Sequence, residues 1–428
     1  MTRWRAASTL AGLLLQRVRD PNIRVVYLAV FLLGTAYGIS IGVTALHLDA
    51  RGFGKSEIGQ LAAFFASGII VASLPVGSLI RRLSARATLT ASLFGYAITV
   101  GVFPLLHSYS AIAFARFCDG GFSVGVWVSC ETILLMRAEE DNRAYVTSLY
   151  AVAMAIGYVI GPLAARRIAQ EVSLQASFFV AAVIATLSGI VVLARLDADP
   201  PDAHGEPARG GEGGHDGRGH EGRESAMRLF GRIKTSCFAA FAYGYFQASV
   251  VLFLPLYLIE SKHIPRDTTI LAPAFFAAGM LLFSNVAGRL GDRIGHLLVM
   301  RGLGMVGLSM VLAFVFLDSF PAMAVAVFVA GATLASISPV SLALQGVVTP
   351  RREYSRSNSI YNMFYAAGIL LGPPISSAFF RHLGGAAMLY HLAAMWLAFV
   401  LFAIVFAADD PAHRPRALDP ASAPRLAG

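Results

Sequence analysis

Arg116, Asp119 and Glu131 lie in an apolar stretch of the sequence, where a membrane-spanning helix ordinarily carries no charge. Wound as an α-helix, the stretch places all three on one face, with Ser123 and Trp127 between them. A charge near the bilayer centre costs at least about 2.5–3.5 kcal/mol, so these groups must face protein or water. The i,i+3 spacing of Arg116 and Asp119 predicts a charge-assisted pair. The pattern indicates either a structural ion pair or a polar path on which Asp119 or Glu131 binds and releases a proton.

The composition is that of an integral membrane protein. Hydrophobic residues make up 56% of the 428 residues and charged residues 14%, and the mean hydropathy is +0.65. Soluble domains carry about 25% charged residues. Apolar runs of about 20 residues, each long enough to cross a bilayer as a helix, follow one another in two sets of six. The sequence therefore predicts an all-α membrane protein with twelve transmembrane helices in two six-helix bundles.

Five segments follow from the spacing of these runs. They are a cytoplasmic amphipathic segment at 1–22, a first bundle at 23–196, a disordered cytoplasmic linker at 197–231, a second bundle at 232–408 and a disordered tail at 409–428. The linker is rich in Asp, Gly, His, Arg, Glu and Pro and offers almost nothing to bury, which predicts disorder.

Lys and Arg define an orientation. With the N-terminus in the cytoplasm, the inside segments hold most of them and the outside loops few, as the positive-inside rule requires. This bias accounts for the net charge of +9 and the pI near 9.7, so nucleic acid is not implied as a partner. Both termini are therefore predicted to be cytoplasmic.

The two halves match at a constant offset of 211 residues. The segment 63–68 and the segment 274–279 share five of six residues, and Gly120 pairs with Gly331. Duplicated six-helix halves of the same orientation are an architecture of secondary transporters, which hold substrate between the halves near the midplane.

Across residues 20–408 the chain resembles the major facilitator superfamily. Arg116 to Gly120 is similar to the family's helix-4 R-x-x-x-G signature, with Asp119 where Gln is more usual. The resemblance implies alternating access without a cofactor, and a role for Arg116 in proton coupling. A small molecule or ion would be the substrate, protons the coupling ion and a lipid bilayer the surroundings, with the protein acting as a monomer. Glu131 and Tyr150 also lie in a pattern that resembles a bacterial subgroup, which predicts the bacterial inner membrane or a membrane derived from it.

Two further family elements occur once in each half. The loop motif G-x-x-x-D-R-x-G-R, which helps to lock the cytoplasmic gate in the family, is represented by Gly77 and Arg82, and by Gly288, Asp292 and Arg293. Arg81 stands where Asp is expected, which leaves open which half supplies the lock. The element G-x-x-x-G-P, common among exporters, is represented by Gly157, Gly161 and Pro162, and by Gly368, Gly372 and Pro373. Its small residues allow close helix packing, so it indicates either export or generic repeat packing.

The resemblance also implies a central cavity lined by helices 1, 4, 7 and 10. Polar and aromatic side chains on these helices and on helices 8 and 11 suit a polar or amphipathic solute, although interhelical hydrogen bonding is the alternative role. The candidate cavity residues are Tyr37, Thr44, Trp127, Gln247, Asn285, Gln345, Asn358, Tyr361, Asn362 and Tyr365.

Two enzyme-like patterns lack the context that their chemistry needs. Gly121, Ser123 and Gly125 fit G-x-S-x-G, but a nucleophile elbow requires a strand-to-helix turn, and this serine falls inside a predicted membrane helix. Lys55 lies in a partial phosphate-loop pattern, in which Asp49 takes the place of the first glycine. The sequence therefore does not predict an enzyme.

Two alternatives stay open at this stage. One is a transporter of a metal ion such as iron, or of a metal chelate; the residues that motivate it are His204, His215 and His220 in the linker, with Cys118 and Cys130 beside Asp119 and Glu131. No fixed metal site is predicted, because the linker offers no fixed geometry. The other is a transport-dead facilitator fold that acts as a sensor or assembly protein, for which Arg81 is the motivation.

Overall fold

The computed structural model describes residues 18, 20–138, 143–198, 226–350 and 353–410, and within these ranges every regular element is helical. Twelve helices are long and apolar enough to cross a membrane. The predicted fold class is therefore confirmed. Most of the predicted amphipathic segment 1–22, linker and tail 409–428 lie outside the described residues.

The first half contains six helices. They are α1 (Pro21–Ala50), α2 (Lys55–Leu83), α3 (Ala85–Val102), α4 (Tyr109–Arg137), α5 (Arg143–Glu171) and α6 (Leu174–Arg195). Polar side chains set where several of them begin: Asp20 accepts a hydrogen bond from the Asn22 amide at the start of α1, and Ser108 does the same for α4.

The second half repeats this order. Its helices are α7 (Ala226–Lys262), α8 (Ala272–Ile294), α9 (His296–Phe316), α10a (Phe320–Leu334), α10b (Ile337–Val348), α11 (Tyr354–Leu383) and α12 (Gly385–Val405), besides a four-residue helix (Arg266–Thr269) before α8. Two boundaries differ from the prediction. Helix α7 begins at Ala226, so the last residues of the predicted linker are helical, and the tenth span is interrupted at Ala335 and Ser336.

Close backbone contacts show the repeat in three dimensions. A Cβ added to Gly68 would meet the carbonyl oxygen of Phe117, and one added to Gly279 would meet that of Phe328, exactly 211 residues further on in each case. In the same way, Gly120 meets the carbonyl oxygen of Phe65, and its counterpart Gly331 meets that of Phe276. Glycine is required at these four positions because two helix backbones touch there. The same packing therefore joins α2 to α4 and α8 to α10a.

Ion pairs tie the halves to each other at one end of the described structure. We call this the distal end, since the described chain termini Val18 and Asp410 lie at the other, terminal end. Ion pairs between the halves at the distal end join Asp49 to Arg266 at 2.7 Å and Lys55 to Glu260 at 2.8 Å. Asp267 adds contacts to α5.

At the terminal end, Arg137 lies 3.5 Å from Asp20, and Lys234 lies 2.6 Å from Asp409. Each of these two ion pairs stays within one half, whereas the pairs at the distal end join the halves.

Candidate functional site

A cavity of about 200 Å³ lies between the two halves. Its wall is mostly aromatic and aliphatic, and its polar groups are few. Among its lining residues are Tyr37, Thr44, Phe65, Arg116, Trp127, Tyr158, Gln247, Phe276, Met280 and Tyr365. Concave, largely apolar sites with a few placed polar groups are typical of small-molecule binding.

Arg116 is the one charged side chain among the described residues that line this cavity. Its Nη1 donates to Oδ2 of Asp119 at 2.5 Å, and its guanidinium carbon lies 4.5 Å from the centre of the Phe65 ring. Asp119 itself is 6% exposed. The pair therefore presents its cation to the cavity and keeps its carboxylate inside the first half.

Asp119 lines a second, much smaller pocket of about 10 Å³ within the first half. Ser40, Thr44 and Thr99 contribute hydroxyl groups to it. Thr44 and Arg116 line both the central cavity and this pocket, so they form the wall between them.

Hydroxyl groups connect α4 to its neighbours around Asp119. The Ser123 hydroxyl donates to the backbone oxygen of Asp119 at 2.6 Å, and the Tyr37 hydroxyl donates to Ser123. Tyr96 lies 3.1 Å from the Ser40 hydroxyl, and its ring is 4.6 Å from that of Tyr37. These contacts bury the carboxylate among polar groups of α1, α3 and α4, which lowers the cost of placing it inside the bundle.

Half of the predicted cavity residues line the cavity: Tyr37, Thr44, Trp127, Gln247 and Tyr365. The second half contributes a bonded pair, because the Tyr365 hydroxyl donates to the side-chain oxygen of Gln247 at 3.0 Å.

The other half of that list does not reach this cavity. Gln345 donates to the Ser357 hydroxyl at 2.7 Å, and Tyr361 bonds to Ser338 and to Ser341. None of the described residues that line this cavity belongs to α10a or α10b, where helix 10 was expected to contribute. Interhelical bonding, the alternative role, accounts for Gln345 and Tyr361.

The remaining predicted polar residues are exposed and are not part of the cavity wall. They are Asn285, Asn358, Asn362 and Glu131. Glu131 makes no contact with Asp119. The predicted stripe of charges therefore consists of the Arg116–Asp119 ion pair and, separately, of Glu131 nearer the terminal end.

The predicted gate residues lie at the terminal end. Arg82, Asp292 and Arg293 are exposed, and Asp292 lies 3.2 Å from His296 on the next helix. Gly288 has no atom near the position of an added Cβ, while Gly77 is partly buried. No ion pair between described residues joins these loops across the two halves. The sequence does not predict the distal ion pairs, because the residues that form them are separated by about 200 positions and no motif connects them.

The two G-x-x-x-G-P elements perform the same packing role. Added Cβ atoms at Gly157 and Gly161 would meet the backbone of α1 at Gly34 and Gly38. Gly368 and Gly372, which precede Pro373, meet α7 in the same way around Tyr245. The Pro162 side chain also lines the central cavity. Because both copies pack a helix pair, the element does not indicate a direction of transport.

The structure places the other singled-out residues in structural positions. Ser123 lies inside α4 and is fully buried, far from any strand-to-helix turn. Gly54 caps α2, and Lys55 belongs to the distal ion pairs. Within the described ranges no three His, Cys, Asp or Glu residues converge; the linker histidines lie outside those ranges.

Two six-helix halves around one central cavity define a polytopic membrane protein of the transporter type. The family model of the Major Facilitator Superfamily matches residues 26–236 and 236–426. The chain belongs to the Major Facilitator Superfamily and is a multi-pass membrane transporter.

Relatives in sequence are distant but cover most of the chain. The "Uncharacterized MFS-type transporter YcaD" of Salmonella enteritidis is 24% identical over 358 residues, which are 83% of this chain and 88% of the relative. The protein of the same name from Salmonella arizonae is 23% identical over 392 residues, 91% of this chain and 97% of the relative.

Solved structures share the fold. A bacterial homologue of the human lysosomal transporter Spinster, in an inward-facing and occupied conformation, superposes with a TM-score of 0.71 at 13% identity, covering 91% of this chain and 96% of that chain. A variant of the nucleoside transporter NupG gives 0.70 at 13% identity, with 90% and 98% covered.

Proposed function

We propose that this protein is a proton-coupled secondary transporter that moves a small solute by alternating access, with Asp119 as the proton site. The observation that supports this proposal is the Arg116–Asp119 pair: the cation lies on the cavity wall and the carboxylate lies behind it, 6% exposed. Breaking such a pair leaves a buried charge unpaired, which is costly unless the carboxylate takes up a proton. A change at the cavity wall is therefore linked to protonation of Asp119.

The distal ion pairs support alternating access. They join the two halves at the distal end, where they can hold that end closed, and all of them lie between the two bundles. Exposed ion pairs contribute about 0–1 kcal/mol each, which is small enough to be broken and remade in every cycle. We assign the terminal end to the cytoplasm, because the basic residues are concentrated there. A green fluorescent protein fused after Gly428 should then fluoresce; a dark fusion with active periplasmic alkaline phosphatase at the same site would reverse the assignment.

The test is transport in proteoliposomes under an imposed pH gradient. Solutes are first ranked by the thermal shift that they produce in the purified protein, and the best is then followed in both directions. We expect the gradient to drive accumulation in the parent and in Glu171→Gln, a matched control at an exposed distal position. Asp119→Asn should abolish accumulation while leaving counterflow intact. Glu131→Gln tests the second predicted proton site. Full proton-driven accumulation in Asp119→Asn would exclude Asp119 as the proton site, and full accumulation in Glu131→Gln as well would exclude both predicted sites.

A further inference from the structure

The charge on the cavity wall indicates what kind of solute fits. Arg116 supplies the one charge among the described lining residues, and the acidic partner, Asp119, lies outside the wall. The body of the cavity is formed by rings and aliphatic side chains such as Trp127, Phe276 and Met280. A cationic solute would meet Arg116 with no acid on the wall to compensate, and a strongly polar solute would lose its hydration against apolar groups.

The guanidinium of Arg116 still has unused donors. Only Nη1 donates to Asp119. Nε and Nη2 make no hydrogen bond with the described residues, and neither nitrogen is fully enclosed by the protein. An arginine fork binds a carboxylate or phosphate through two parallel hydrogen bonds. An anionic group entering the cavity can therefore replace Asp119 as the partner of Arg116.

We propose that the cavity takes an amphipathic anion, with an apolar or aromatic body, whose charged group binds Arg116 in exchange for Asp119. The buried Asp119 carboxylate then takes one proton from solvent, which keeps the site electrically balanced. The inference rests on the proposed function and deepens it, because the proton and the anion bind together. Coupling of this sign is symport: the anion moves in the same direction as the proton.

Other groups around Asp119 do not compete for that proton. The titratable side chains that face it are the phenols of Tyr37 on α1, Tyr96 on α3 and Tyr158 on α5, besides Arg116 and the thiol of Cys118 on its own helix. Phenols and thiols keep their protons at neutral pH. The carboxylate is therefore the group that titrates when the anion binds.

Equilibrium binding of three matched probes to the purified full-length chain in nanodiscs tests the proposal. The probes are 1-naphthylacetate, 1-naphthylacetamide and 1-naphthylethylamine, which share the ring system and differ in charge. We expect the carboxylate to bind at least about tenfold more tightly than the amide and the amine, a difference of about 1.4 kcal/mol. Its Kd should rise with pH, by up to about tenfold per pH unit, because one proton is taken up on binding.

Variants separate the two members of the pair. Arg116→Gln should bind the carboxylate no better than the amide, and retained amide binding shows that this variant is folded. Arg116→Lys should recover part of the preference. Asp119→Asn should bind the carboxylate tightly and without pH dependence. Arg195→Gln, a matched exposed control at the end of α6, should behave as the parent.

Two results would overturn the proposal. One is a parent that binds the three probes alike, and the other is a carboxylate preference that persists in Arg116→Gln or stays pH-dependent in Asp119→Asn. Because binding requires neither turnover nor a gradient, the outcome is independent of the transport assay. A parent that selects the anion as expected but accumulates nothing under a pH gradient would refute proton-driven transport and leave the ligand class standing.

Discussion

The two halves of the molecule contain the same pocket with opposite chemistry. In the first half this pocket has a polar wall, and in the second an apolar one, at positions 211 residues apart. The paired residues are Thr99 and Met310, Arg116 and Val327, and Asp119 and Ala330. The glycine contacts between helices, in contrast, are the same in both halves. The duplicated bundles thus share their backbone packing, but only the pocket of the first half contains ionisable side chains.

The largest loss of stability is expected when only one residue of the Arg116–Asp119 pair is replaced by its counterpart in the second half. Arg116→Val alone leaves Asp119 buried without a cation and should lower the free energy of unfolding by about 3 kcal/mol. Adding Asp119→Ala reproduces the apolar pair of the second half and should restore stability to within about 1 kcal/mol, without restoring transport. Thermal unfolding of the two variants measures this difference. Equal stability of the single and double variants would show that the pair is not energetically coupled.

The next largest loss of stability is expected at the glycine contacts that the two halves share. Gly120→Ala and Gly331→Ala each place a Cβ against a backbone carbonyl of the neighbouring helix, and each should destabilise the protein by about 2 kcal/mol. Gly302→Ala is the control, because no atom lies near its added Cβ. The comparison of the halves predicts equal losses for the two contacts. A loss in one half alone would show that the duplicated packing is no longer equivalent.

A smaller effect is expected at the turn between the second and third helices of each half. Ser84 and Gly295 are equivalent and have φ values of 100° and 101°, in the region that favours glycine. Ser84→Gly should therefore raise the free energy of unfolding by about 1 kcal/mol, although the Ser84 cap of α3 is lost. Gly295→Ser should lower it by a similar amount. Denaturation of both variants is the measurement, and changes of the same sign would contradict the prediction.

The smallest effect concerns contacts between the halves. Asp49→Asn and Lys55→Gln each remove one distal ion pair and should weaken closure of that end by about 0.5 kcal/mol, a two- to threefold shift in population. Electron–electron distances between spin labels at positions 171 and 381 report the opening. Asp20→Asn breaks an ion pair within the first half and should leave these distances unchanged. A similar shift in all three variants would mean that closure does not depend on the distal pairs.

Local and repeated features were predictable from the sequence. Helix number, approximate boundaries and the duplication follow from apolar runs and from glycines at a fixed offset, since both are properties of nearby or equivalent residues. The Arg116–Asp119 pair was also predictable, because three residues along a helix bring side chains to one face. Five of the ten candidate cavity residues do line the cavity, because residues at helical spacing share one face of their helix.

Features that depend on how the halves meet were not predictable. Gln345 and Tyr361 resemble cavity residues in the sequence, but each forms a hydrogen bond with a serine of the second half. Asp49 and Arg266 pair across 217 positions, a separation over which no periodicity acts.

Because the distal ion pairs are exposed, their strength depends on the ionic strength of the surrounding solution. Interactions between charges at a protein surface are largely screened beyond about 8 Å at physiological ionic strength and beyond about 30 Å in dilute solution, so surface ion pairs weaken as salt is added. A fresh-water medium would therefore favour the closed distal end, and a saline one would loosen it. Turnover in vesicles is accordingly expected to respond to the electrolyte on the side that the distal end faces, even where solute and pH are held constant.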